Sequence, residues 1–126
     1  MAADLPRTVE AFVVAHMRSV EDLQLLIRLV EEPDRWWDAE TVSGELRLST
    51  LAARGALEWF AGRNLLEIRL SIDIRYRFNP GTDSLRRAVH DSVTAYRADP
   101  IAVIRAISPG LQRIRDFADA FRIKGR

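Results

Sequence analysis

Asp38-Ala-Glu-Thr-Val-Ser-Gly-Glu-Leu-Arg-Leu-Ser49-Thr-Leu-Ala-Ala-Arg-Gly-Ala-Leu-Glu-Trp-Phe-Ala-Gly-Arg-Asn64-Leu-Leu-Glu-Ile68 is the stretch that decides how this chain folds. Asp38 has the short acceptor side chain of an N-cap, so a helix over 39–47 is predicted behind it. Val42 and Leu46 face inward there, and Gly44 is tolerated at a cost of up to about 1 kcal/mol. Ser49 supplies a second cap for a helix from Thr50 to about Arg63. Its core stripe is Ala53, Leu57 and Phe60, spaced i, i+4, i+7. Asn64 suits the left-handed residue that closes a helix. The reading is helix, tight turn, helix, strand.

Working outward, apolar and polar residues alternate without a break from Leu66 to Phe78. Leu66, Ile68, Leu70, Ile72, Ile74, Tyr76 and Phe78 lie on one side; Glu67, Arg69, Ser71, Asp73, Arg75 and Arg77 lie on the other. Period two over this length predicts strand, and one strand this long would be unusual, so a hairpin turning between Leu70 and Asp73 is expected. Upstream, Val9, Phe12, Val13 and Met17 share a face of a helix from Pro6 to Met17. Ser19 caps another helix carrying Leu23, Leu26, Ile27 and Val30, which Pro33 ends. Arg35-Trp36-Trp37 reads as a short extended link whose adjacent indoles diverge, one into the core and one as a half-exposed anchor. Downstream, Asn79-Pro80-Gly81 is a turn and Thr82 or Asp83 caps a helix with Leu85, Val89, Val93 and Tyr96. Asp99-Pro100 opens a further helix carrying Ile101, Ile104 and Ile107. Ser108-Pro109-Gly110 breaks the chain before an amphipathic helix with Leu111, Ile114, Phe117, Ala118 and Phe121 on one face.

The 126 residues are 48% hydrophobic and 29% charged, with no cysteine. That is enough chain for one domain with a real core, and it excludes a disulfide framework and a thiolate metal site. The start has no basic segment followed by an apolar run, and no apolar run approaches the roughly 20 residues that span a bilayer. A cytoplasmic protein with no membrane role is expected. The abundance of Arg over Lys and of Ala suggests a bacterial source. Net charge is +1, yet residues 1–62 hold 6 basic and 11 acidic side chains, and residues 63–126 hold 13 and 7. Such asymmetry favours local anion docking or self-pairing. His16 and His90 are isolated, no Gly-rich phosphate loop or nucleophile elbow is present, and Glu31-Glu32 reads as a solvated helix end. No catalysis, metal or cofactor is expected.

Three features carry a family resemblance: the Ser49-capped helix with Ala53, Leu57 and Phe60, the Arg63-Asn64-Leu65 ending, and the alternating hairpin. With them, about 20–78 resembles the winged helix-turn-helix of small bacterial transcriptional regulators of the multiple-antibiotic-resistance repressor type. Phe117-Ala-Asp-Ala-Phe-Arg122 is also similar to the ending of an uncharacterised bacterial family. The resemblance implies a mainly α fold with a small antiparallel hairpin. It implies a single domain over 1–126, with a winged-helix core at 18–80 and a helical extension at 82–122. It further implies a regulator whose Ser49, Thr50, Arg54, Arg69, Arg75 and Arg77 meet DNA. The second helix departs from that pattern. Its outward positions are Leu51, Ala52, Gly55 and Trp59, not side chains that read base edges. Two function classes therefore stay open: a DNA-binding regulator, and a protein-interaction or dimerisation module that has lost base reading. For the second, Leu51, Gly55 and Trp59, with Phe117 and Phe121 of the last helix, form the expected partner interface. The apolar outer face is expected to be covered, by the 82–122 helices or by a partner, and a homodimer through the last helix is expected.

Overall fold

The computed structural model describes residues 5–107. Six helices and one hairpin follow in the order α1 (Arg7–His16), α2 (Val20–Glu31), α3 (Ala39–Leu46), α4 (Thr50–Gly62), β1 (Leu66–Leu70), β2 (Ile74–Phe78), α5 (Asp83–Ala98) and α6 (Pro100–Ile107). This is a winged helix-turn-helix, α2 through β2, preceded by α1 and extended by α5 and α6. The break at Ser108–Gly110 and the helix expected at Leu111–Phe121 lie outside the described residues.

Local chemistry places the boundaries. Ser19, Asp38, Ser49 and Thr82 each accept a hydrogen bond from the backbone N–H three residues on, satisfying a donor the first helical turn leaves free. Asp99 does the same for Ala102 at 3.3 Å. Arg47 (φ 57°) and Asn64 (φ 66°) take the left-handed conformation. Arg47 thereby ends α3 and makes the helix-turn-helix bend. Asn64 ends α4 and aims the chain into β1. That corner is pinned from the far side, where the Gly81 N–H donates to the Asn64 carbonyl at 3.0 Å and the Asn79 N–H to the Leu65 carbonyl at 3.1 Å.

The core is built from Phe12 and Val13 of α1, Leu23, Leu25, Leu26 and Leu29 of α2, Val42, then Ala53, Leu57 and Phe60 of α4, and from Leu65, Tyr76 and Phe78. Leu25 and Leu29 widen the buried stripe of α2 beyond the positions expected from spacing. In α6 the fully buried residue is Val103; Ile101 is exposed and Ile104 and Ile107 are half-buried. The reason is packing on two sides: α6 lies against both α1 and α5, and Val103 faces that junction.

β1 and β2 pair antiparallel with Leu66 opposite Phe78 and Leu70 opposite Ile74. Trp37 adds a one-residue third strand: its N–H donates to the Tyr76 carbonyl and its carbonyl accepts from the Tyr76 N–H, both at 2.8 Å. The two tryptophans diverge as their adjacency implies. Trp37 is buried and Trp36 half-buried.

Candidate interaction surface on the second helix and the wing

Among the described residues, the outer face of α4 and the β1–β2 wing are both exposed. Ala53, Ala56, Leu57 and Phe60 turn inward, so helical geometry sends Leu51, Gly55, Glu58 and Gly62 outward, with Arg54 on one flank and Ala52 and Trp59 on the other. Leu51 is 77% exposed. The space around Gly55 and Gly62 is open. Ala52 and Gly55, with Arg18, Asp22 and Leu48, line a cleft of about 350 Å³ between α4 and the start of α2.

Trp59 is half-buried, and the end of α1 covers part of it. The Trp59 indole N–H donates to the His16 carbonyl at 2.7 Å. The Arg18 and Arg63 guanidiniums lie 4.9 and 4.1 Å from its ring centroid, within cation–π range. Arg18 is itself held by the buried carboxylate of Asp22 at 2.9 Å. Spacing along α4 could not show this, because α1 is more than thirty residues away in sequence. Ser49 lies at the start of the helix with its hydroxyl oxygen committed to the Ala52 N–H at 3.0 Å. Thr50 is half-buried and Arg54 is exposed.

The wing arginines are largely engaged within the chain. Arg75 pairs with Asp73 at 3.1 Å, and this carboxylate raises the Arg75 pKa. Arg77 pairs with Glu67 at 2.7 Å; with the Asn79 amide it holds the Glu67 carboxyl below its usual range. Arg69 and Arg77 both sit 4.5 Å from the Trp36 ring centroid, so Trp36 is an anchor for the arginines of the wing. Between the wing and α4, Asp38, Glu40, Asp73 and Arg54 line a second cleft. The Thr41 N–H donates to Asp38 at 2.7 Å and keeps that carboxyl ionised below its ordinary range. Tyr76 borders the same cleft; burial, then Glu58, pushes its phenol up.

The opposite face of the wing is apolar and open toward its tip. Leu66, Tyr76 and Phe78 are buried at its base. Ile68 and Ile74 are each 48% exposed, Leu70 is 76% exposed, and Ile72 is fully exposed. Alternation in sequence placed these residues on one side but did not show that the core covers only half of it. Phe117 and Phe121 lie outside the described residues. Among the described residues no group of three or more His, Asp or Glu is arranged to hold a metal ion, and no helix is long and apolar enough to cross a membrane.

No protein-family model matches the chain, and no curated protein matches it. Among solved structures, it is similar to a possible transcriptional regulator from Methanosarcina mazei Go1, with 21% identity over 64% of this chain and 70% of that one and a TM-score of 0.46.

Proposed function

We propose that this chain is a non-catalytic regulatory protein of the winged-helix class that acts by docking on protein and not by reading bases. The observation that carries this is the chemistry of the two surfaces a winged helix offers. The outer face of α4 presents Leu51, Ala52, Gly55, Glu58 and Gly62, and the wing tip presents Ile68, Leu70, Ile72 and Ile74. A major-groove reader needs Arg, Asn, Gln, Ser or Thr at such positions. The cleft between α4 and the wing adds Asp38, Glu40 and Asp73, which would face phosphates with like charge. Exposed apolar groups clustered this way mark partner surfaces.

A second reading keeps DNA, in the manner of the repressor type the sequence resembles. Arg47 and Arg54 flank the start of α4, are exposed, and have no carboxylate of the described residues within ion-pair distance. With Ser49 and Thr50 they would contact phosphates. Titration of generic duplex DNA at several salt concentrations separates the two. The docking reading expects weak binding that vanishes near physiological salt. A log–log salt slope near −0.9 for each of several phosphates, lost in Arg54→Ala, would overturn it.

A further inference from the structure

We infer that the β1 edge of the wing pairs antiparallel with β1 of a second copy of this chain, about a two-fold axis at Ile68. The inference rests on the docking reading above and names the partner of the wing.

The open edge follows from the hydrogen-bond phase of the hairpin. The Ser71 N–H donates to the Asp73 carbonyl, and the Asn79 N–H to the Leu65 carbonyl, both at 3.1 Å. Bonded pairs in an antiparallel ladder alternate, so the bonded positions between these two are Glu67 with Arg77 and Arg69 with Arg75. The N–H and C=O groups of Leu66, Ile68 and Leu70 therefore point away from β2. On β2 the equivalent outward groups are those of Ile74, Tyr76 and Phe78, and Tyr76 does bond outward, to Trp37. No described strand lies along β1. β1 has no proline and no lysine, two devices that keep exposed edges from pairing.

Charge then selects the occupant and the register. Leu66-Glu67-Ile68-Arg69-Leu70 is self-complementary about Ile68. A two-fold there sets Glu67 of one copy against Arg69 of the other, twice. It sets Ile68 against Ile68 and Leu66 against Leu70 on the apolar face, and it matches all three outward backbone pairs. Centring on Arg69 instead would oppose two guanidiniums, and centring on Leu70 would leave Arg69 against Ser71. Within one chain Arg69 stands directly opposite Arg75, an unfavourable like-charge pair. It rests on the Trp36 ring with no carboxylate of the described residues in ion-pair distance. Glu67 meets Arg77 and Asn79 through Oε1 alone, which leaves Oε2 for the second copy.

The test uses the full chain in sedimentation and in cysteine cross-linking, the latter clean because the protein has no cysteine. Glu67→Lys and Arg69→Glu should each weaken self-association roughly tenfold or more. A 1:1 mixture of the two variants should restore it, because both cross-strand pairs reform between unlike chains. Ile68→Cys should be joined to its own copy readily by a short bifunctional thiol reagent, since Cα atoms of a bonded antiparallel pair lie about 5.5 Å apart while their Cβ atoms are too far apart for an unstrained direct disulfide. Ile72→Cys, more exposed yet remote from its own copy in this register, should react more slowly. A monomeric wild-type protein, association that both charge changes leave intact, or Ile72→Cys cross-linking as fast as Ile68→Cys would each overturn the inference. Circular dichroism of each variant separates loss of pairing from loss of fold. The DNA titration does not involve self-association, so either idea can fail alone.

Discussion

Single side chains of α4 show how one residue type serves opposite roles on opposite faces. Leu57 is fully buried, while Leu51, six residues earlier, stands in water. Leu57→Ala should cost roughly 2–5 kcal/mol in chemical denaturation, the range for removing a buried leucine from a close-packed site. A change of a few tenths would mean that this helix does not turn that face inward. Trp59 is the other informative residue. Replacing it with Arg removes the hydrogen bond to the His16 carbonyl and sets a third cation between Arg18 and Arg63. We expect destabilisation of roughly 1–3 kcal/mol by urea titration. Unchanged stability together with tighter DNA binding would instead identify α4 as an open groove reader.

At the scale of elements, capping decides where helices start. Asp38 is the most exacting case, because it both caps α3 and follows the Trp37 bridge to the wing. Asp38→Ala should cost about 1 kcal/mol. The cap is also pH-dependent. The Thr41 N–H lowers the Asp38 pKa from its ordinary value near 3.8, so the folded state binds fewer protons than the unfolded one. The contribution is complete above that ordinary value and is lost as pH falls through the lower, folded value. Denaturation midpoints of wild type and Asp38→Ala, followed from neutral pH into acid, should therefore converge at the acid end. A gap that stays constant would show that the loss comes from packing and not from the carboxylate.

At the scale of the whole molecule, α1 acts as a clasp. Val9, Phe12 and Val13 are buried, α1 packs on α5 and α6, and its last carbonyl receives the Trp59 indole. It thus ties the C-terminal helices to the recognition-type helix of the fold. Phe12→Ala should cost roughly 3–5 kcal/mol. Removal of residues 1–17 should expose Val89, Val93 and Val103 and replace the cooperative thermal transition with a broad one that binds a hydrophobic dye. A truncated protein that melts as sharply as the full chain would show that the α5–α6 pair does not depend on α1.

Much of this architecture was legible in the sequence because it rests on local chemistry. Ser19, Asp38, Ser49 and Thr82 act within three residues of themselves. Asn64 closes its own helix, and period two between Leu66 and Phe78 announces a hairpin with its turn near Leu70. The dry face of α4 was legible too, since Ala53, Leu57 and Phe60 share one stripe. Which other faces meet water was not, because that depends on residues far apart in the chain. Only the tertiary structure puts the His16 carbonyl under Trp59, turns Val103 into the α1–α5–α6 junction, and sets the wing arginines on Trp36, Glu67 and Asp73. Only it leaves Ile68, Leu70, Ile72 and Ile74 beyond the reach of the core. A repeat in sequence says which side chains share a face; it takes the packing of distant elements to say whether anything covers that face.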